Sequence, residues 1–144
     1  MDVEQQAIEN ASSWMADAIR QYVESEGATS DHAQADWLVV LYTTGRKSGL
    51  VRGAPLVGIP EGDDILVMAS KRGAPTDPEW YNNLVADPDV WVRNKADFHE
   101  AKATTLTADE REERWSAITE QFPFYAEYQA DLDREIPVVR LQRR

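Results

Sequence analysis

Apolar and polar positions alternate in blocks that change period several times along the chain, and each change marks an element. Residues 3–25 place Ile8, Ala11, Met15, Ile19 and Tyr22 on one helical face, with Glu4, Glu9, Asp17 and Glu24 around the other, which predicts an amphipathic helix. Residues 27–36 are polar and turn-like. The run Trp37-Leu38-Val39-Val40-Leu41-Tyr42 is apolar without interruption and short, which predicts a strand covered on both faces. Two further runs, Leu56-Val57-Gly58-Ile59 and Ile65-Leu66-Val67-Met68, flank Pro60-Glu61-Gly62-Asp63-Asp64, whose Pro, Gly and Asp residues predict a hairpin turn. Pairing Ile59 with Ile65 in that hairpin would carry Arg52 opposite Arg72, beside Lys71.

Thr76-Asp77-Pro78-Glu79 combines capping oxygens with a Pro at the first helical position, and predicts a helix carrying Trp80, Tyr81 and Leu84. A second strand pair is predicted from Val90-Trp91-Val92-Arg93, the turn 94–97 and residues 98–106. Thr107-Ala108-Asp109-Glu110 reads as a capping box opening a helix with Trp115, Ile118 and Phe122 on one face. Pro123 ends or kinks it, Phe124 to Tyr128 continue as a short helical piece, and Pro137-Val138-Val139-Arg140-Leu141 closes the chain as a strand. Six strands joined mainly by hairpins, with three or four helices, predict an α+β fold built on an antiparallel barrel. The 144 residues suit one domain, with residues 1–26 as its N-terminal helix.

Charge sharpens this picture. The net charge is −11, yet residues 43–58 and 65–76 hold Arg46, Lys47, Arg52, Lys71 and Arg72 and none of the 26 acids. Positive charge concentrated in an acidic chain points to a localised anion. Like charges opposed on neighbouring strands repel unless something neutralises them, and a phosphate or carboxylate would do so. Gly45, Gly49 and Gly53 would leave backbone N–H groups open to the same anion, and the 76–79 helix start would add its dipole. The overall acidity argues against nucleic acid. Residues 1–26 carry six acids and only Arg20, which argues against contact with an anionic membrane.

The chain has no cysteine, which excludes disulfides, thiolate metal sites and a Cys nucleophile. No Walker loop and no Gly-x-Gly-x-x-Gly is present. His32 and His99 have no metal-ligand spacing and read as surface or half-buried residues, and Ser48 and Ser70 lack nearby His and Asp partners. The start lacks a signal peptide and no apolar run approaches 18 residues, so a cytoplasmic location is expected. Aromatics cluster instead: Trp80 and Tyr81 follow the second basic segment, and Phe122, Phe124, Tyr125 and Tyr128 fall together. They serve either as ordinary packing or as a slot for a planar ring whose anionic tail meets Arg46, Lys47 and Arg52. A flavin-like cofactor fits the second reading, since redox chemistry on such a ring needs no protein nucleophile.

Thr43-Thr44-Gly45-Arg46-Lys47-Ser48-Gly49, Arg52 with Pro55-Leu56, Ala69-Ser70-Lys71-x-Gly73-Ala74-Pro75, Pro78-x-Trp80-Tyr81-x-Asn83-Leu84 and Asp133-Arg134-Glu135-Ile136-Pro137-Val138-Val139 occur in order. Together they resemble the deazaflavin-dependent nitroreductases, the coenzyme F420-dependent quinone reductase type, over residues 37–141. The resemblance implies a split β-barrel that binds F420 and passes hydride from its deazaflavin to an apolar, electron-poor acceptor such as a quinone, enone or nitro compound. It implies that Arg46, Lys47, Ser48 and Arg52 meet the phosphate and tail, and that Gly53, Ala54, Pro55, Leu56 and Val57 line the path to the ring. Met68, Ala69, Ser70 and Lys71 would border the ring, with Trp80, Tyr81, Asn83 and Tyr125 closing the slot. Tyr125, Tyr128 or Ser70 would supply a proton or hydrogen bond to the acceptor. The alternatives are an FMN-dependent reductase on the same barrel, a non-catalytic F420-binding or storage protein, and a purely structural domain. A homodimer is compatible with any of them.

Overall fold

The computed structural model of the chain describes residues 2–28 and 35–144, so His32 lies outside the described residues. Six strands, β1 (Leu38–Thr44), β2 (Val51–Glu61), β3 (Asp64–Met68), β4 (Asp89–Asn94), β5 (Asp97–Thr105) and β6 (Val138–Arg143), close into a barrel in the order β1-β2-β3-β6-β5-β4. Every pairing is antiparallel. Closure satisfies the edges that an open sheet of this size would leave exposed.

Strand alternation decides what faces inward. Val39 and Leu41 of β1 join Ile65, Val67, Val92, Ala101, Ala103, Val139 and Leu141 in the barrel interior. Leu38, Val40 and Tyr42 of the same strand pack outward beneath α1 (Val3–Asn10) and α2 (Ser13–Glu24). That double burial is why β1 reads as an unbroken apolar run. On another side of the barrel, Val57, Leu66, Met68 and Val138 pack on Ile118 of α4 (Ala108–Gln121), on Phe122 that caps it, and on Tyr125 of α5 (Phe124–Ala130).

Five helices are present among the described residues, against the three or four expected, because the amphipathic stretch 3–25 is two helices. The chain turns extended at Ala11, and the Ser12 hydroxyl accepts from the Met15 N–H to open α2. Both are fastened to the barrel by buried polar contacts. Tyr42 Oη donates to Glu4 at 2.8 Å, and Arg93 grips the same carboxylate through Nε at 3.0 Å and through Nη2. Tyr22 Oη donates to the Leu38 carbonyl at 2.7 Å and accepts from the Lys95 N–H at 2.9 Å.

The capping box at Thr107 forms as expected. At α3 (Glu79–Ala86) the predicted caps do not. Pro78 occupies the N-cap, Thr76 accepts from Lys71 Nζ at 3.3 Å, and Asp77 faces Arg134 at 2.9 Å. The β2–β3 register also differs from expectation: Pro60 faces Ile65, Ile59 faces Leu66, and Arg52 lies opposite Thr43 on β1. Because β3 ends at Met68 and the chain enters a 3-10 turn at Lys71–Gly73, Arg52 and Arg72 are not cross-strand partners. His99, expected at the surface or half-buried, is buried at 8% exposure, with Nδ1 3.3 Å from Arg143 Nη1 and 3.5 Å from Asp97. Burial and the neighbouring Arg143 hold its pKa below the usual imidazole value.

Candidate active site

The loop leaving β1 folds on itself. The Gly45 N–H donates to the Leu50 carbonyl and the Gly49 N–H to the Gly45 carbonyl, each at 2.8 Å, while Ser48 Oγ accepts from the Leu50 N–H at 3.1 Å. Two of the backbone donors expected to face an anion are therefore engaged inside the loop. Gly53 has a packing reason: a Cβ there would stand 2.8 Å from Ile19 Cδ1, so its absence lets α2 approach β2. What the loop presents outward is charged side chains.

Arg46, Lys47, Ser48 and Arg52 line a cavity of about 470 Å³ with Thr43, Gly45, Gly53, Ala54, Glu79, Trp80 and Asn83. Asn83, buried on α3, ties the loop in place: its Oδ1 accepts from the Arg46 N–H at 3.2 Å and from Arg46 Nη1 at 3.0 Å, and its Nδ2 donates to Thr43 Oγ1 at 3.4 Å. Arg52 Nη1 donates to the Asn10 carbonyl at the end of α1. Glu79, in the first turn of α3, pairs with Arg46 at 2.7 Å. The Arg46 hydrogen bond, with Lys47 and Lys71 nearby, holds the Glu79 carboxyl below the usual carboxylate range, so it is ionised at neutral pH. Three cations against one acid leave the cavity electropositive.

A second cavity of about 690 Å³ is apolar and aromatic. Leu38, Pro55, Leu56, Val57 and Met68 come from the barrel, Met15 from α2, Pro78 from the start of α3, and Phe124, Tyr125 and Tyr128 from α5, with Ser70, Lys71 and Arg72 along one wall. Ala54 and Trp80 line both cavities, so the two adjoin as one groove. The α5 aromatics pack on one another, Phe124 and Tyr125 tilted at 47° with centroids 4.4 Å apart and Tyr125 and Tyr128 edge to face at 6.4 Å. Burial pushes the Tyr125 hydroxyl pKa up. Among the described residues, the hydroxyls of Ser70, Tyr125 and Tyr128 donate to no protein acceptor, so all three keep a proton to offer within the groove.

Of the residues singled out in the sequence, Ala69, Tyr81 and Phe122 stand outside this lining, Phe122 being buried in the core between the barrel and its helices. Ala69 is fully buried, its N–H bonded to the Pro137 carbonyl at 2.9 Å. Tyr81 packs on the barrel core and meets Thr105 Oγ1 at 3.0 Å. Arg72 of the cationic set and Phe124 of the aromatic set do line it, and Thr43, Glu79, Met15, Leu38 and Pro78 line the groove without having been singled out for the site. Glu79 carried a signal, being one turn before Asn83 at the helix start; Met15 and Leu38 arrive through long-range packing. Among the described residues no group of three His, Cys, Asp or Glu is arranged to hold a metal, and no helix is long and apolar enough to cross a membrane.

The sequence profile of the F420H(2)-dependent quinone reductase family matches residues 14–143. The chain is 37% identical over 109 residues to the F420H(2)-dependent quinone reductase Rv1261c of Mycobacterium tuberculosis (strain ATCC 25618 / H37Rv), covering 74% of this chain and 73% of that protein. Among solved structures, an F420-H2 dependent reductase (FDR-A) is 39% identical, with a TM-score of 0.68 over 74% of this chain and 94% of the other. A structure described as a domain-swapped dimer is 35% identical, with a TM-score of 0.71 over 90% of this chain and 98% of its own.

Proposed function

This chain belongs to the F420H(2)-dependent quinone reductase family, and from that premise we propose that the groove at the barrel wall seats coenzyme F420 with its charged tail at Arg46 and its ring at Tyr125. The protein is an F420-dependent oxidoreductase acting on a quinone. When bound, the reduced coenzyme supplies hydride to the acceptor.

The observation that carries the site reading is the division of the groove. An electropositive cavity containing Arg46, Lys47, Ser48 and Arg52 adjoins an apolar, aromatic one, and Ala54 and Trp80 belong to both. A coenzyme with a phosphate and oligoglutamate tail and a planar ring needs that sequence of surroundings. Gly53 and Ala54 lead from one cavity to the other, and Pro55, Leu56, Val57, Met68, Ser70 and Lys71 would border the ring. The apolar walls exclude water from the reacting atoms and favour an acceptor of similar character, so enones and nitro compounds join quinones as proposed acceptors. A quinone that gains hydride also needs a proton. Tyr125, its pKa raised by burial, keeps its own proton at neutral pH and donates a hydrogen bond that stabilises the oxyanion formed on hydride transfer, with Tyr128 and Ser70 as the neighbouring donors, and solvent supplies the proton that completes the hydroquinone. The resemblance to a domain-swapped dimer supports a homodimeric assembly.

Fluorescence titration with F420 and with FMN, followed by turnover of the reduced coenzyme with quinones, enones and nitroaromatics, tests this reading. Tight F420 binding with quinone turnover is expected. Preference for FMN, or F420 binding without turnover on any acceptor, would overturn it.

A further inference from the structure

The turn between β3 and α3 is held in a conformation that its own residues resist. Lys71 and Arg72 have φ of 49° and 53°, followed by Gly73 at 82°. Only glycine enters this region freely, because a Cβ crowds the following carbonyl. Backbone of this kind persists where its surroundings over-determine it, and such places gather at functional sites.

Within the turn the Gly73 N–H donates to the Ser70 carbonyl and the Ala74 N–H to the Lys71 carbonyl, each at 3.0 Å, and from outside it one side chain fastens the carbonyls on either side. Arg134, from the segment between α5 and β6, donates from Nη1 to the Ala69 carbonyl at 3.1 Å and to Asp77 Oδ1 at 2.9 Å. Its Nη2 donates to the Ser70 carbonyl at 2.8 Å and the Ala74 carbonyl at 2.9 Å, and its Nε to Ala74 again at 3.1 Å. Carbonyls on both sides of the strained turn are thus fixed to one planar group whose side chain is only 15% exposed. The turn it holds is the wall of the apolar cavity, where Ser70, Lys71 and Arg72 lie, and Gly73 packs so closely on the Tyr128 ring that a Cβ would stand 3.0 Å from it.

We propose that Arg134 is a positioning residue of the reaction: its guanidinium holds Lys71 and Arg72 in the left-handed conformation and thereby sets the Ser70–Arg72 wall against which coenzyme and acceptor are seated. The proposal rests on the reading of that cavity as the ring slot. Lysine does not substitute, since one ammonium cannot span three carbonyls and a carboxylate as a rigid fork does.

The test compares the full-length parent with Arg134→Ala, Arg134→Lys, Arg72→Gly, and Arg134→Ala combined with Arg72→Gly, each assayed well below its melting temperature. Three readouts are taken: F420 affinity by fluorescence, kcat and KM with a soluble naphthoquinone, and trypsin cleavage after Lys71 mapped by mass spectrometry. Both Arg134 variants are expected to lose on the order of tenfold to a hundredfold in kcat/KM, the cost of misplacing a site by about an ångström. They should also become open to trypsin at Lys71, with F420 restoring protection. Arg72→Gly should leave the parent closed and should recover part of the loss in the Arg134→Ala background, because glycine takes the left-handed backbone without being held.

Parent-like kcat/KM in a folded Arg134→Ala protein overturns the proposal. So does a loss that tracks the fall in melting temperature with no new cleavage at Lys71. If Arg134→Ala does not fold, Arg134→Lys carries the test, and parent-like kcat/KM with an unchanged Lys71 cleavage pattern in that variant overturns the proposal. A parent that fails to bind F420 overturns the reading of the groove itself, while the cleavage readout still reports whether Arg134 holds the turn.

Discussion

Replacing Arg46 by alanine tests whether side-chain charge grips the coenzyme. The Arg46 side chain is 26% exposed and already ordered by Asn83 and Glu79, so it loses little freedom on meeting an anion. A charge-assisted hydrogen bond contributes about 1.5–3 kcal/mol. Partial exposure favours the lower end, about 1.5 kcal/mol, which is roughly tenfold in Kd. The substitution also leaves the Glu79 carboxylate at the exposed rim of the cavity without its partner, where it repels the ligand. Arg46→Ala should therefore cost more than Lys47→Ala, an exposed side chain for which about two- to threefold is expected. Glu79→Gln should shift affinity in the opposite direction and recover part of the loss when combined with Arg46→Ala. Salt gives an independent reading, because the screening length falls from about 10 Å at 0.1 M to about 3 Å at 1 M. Parent affinity should weaken over that range and the Arg46→Ala affinity should weaken less. Fluorescence titration measures both. A Kd within about twofold of the parent, with the same salt dependence, would refute the assignment of the cationic cavity.

Removing the Tyr125 hydroxyl in Tyr125→Phe strands no partner, so kcat with a quinone should fall while the melting temperature stays within about 1 °C; equal loss of both would assign Tyr125 to packing alone. Glu4→Gln weakens the grip of Arg93 on α1, where the paired side chains are 16% and 14% exposed, and should cost about 2 kcal/mol or roughly 6–8 °C by calorimetry. Because Asn10 of the same helix holds Arg52, F420 affinity should fall with it, and an unchanged melting temperature would dismiss the ion pair as a fastening. Stability should drop in two stages on acidification, followed by denaturant unfolding across pH. His99 and Glu61 both have folded-state pKa values below their unfolded ones, His99 through burial and Glu61 through the Arg114 and Arg140 contacts. Their contributions are whole above the unfolded values of 6.5 and 4.5 and are lost as pH falls through the folded ones. His99→Gln should remove the upper stage, and its persistence in that variant would show that another group causes it.

The elements that could be read from the chain are those whose cause is local. The hairpins followed from alternation and turn residues, and the capping box from the reciprocal Thr107 and Glu110 bonds, four positions that need nothing else. The register missed by one residue because the β2–β3 turn closes tightly over Gly62, with φ of 63°, and Glu61 already pairs with Asp64. The expected five-residue turn would have relaxed that closure, and a single-residue slip moves every later pairing. Asp77 was misread as a cap because its partner, Arg134, lies 57 residues away. The same distance rule separates the site residues. Arg46, Lys47, Ser48 and Arg52 were legible as one loop of like charge, whereas Met15 and Leu38 enter the groove only once α2 docks on β1.

That docking bears on how binding and selectivity are divided in the groove. With the Gly45 and Gly49 N–H groups engaged inside their loop, what the loop offers an anion is side-chain charge: Arg46, held by Asn83 and Glu79, gives one fixed point, and the exposed Lys47 is free to follow a flexible tail. The ring end is built differently. Leu56, Val57 and Met68 belong to the barrel wall and cannot move without disturbing the packing beneath α4 and α5. Met15, Phe124 and Tyr128 come from helices laid on the outside, where a change of side chain leaves strand pairing intact. Substitutions at these three positions should therefore alter which acceptor is reduced while leaving coenzyme affinity near that of the parent. Substitutions at Leu56 or Met68 should lower both together with stability. Parallel measurement of F420 affinity and acceptor preference separates the two classes, and a Met15 or Phe124 variant that lost coenzyme without changing acceptor preference would break the division.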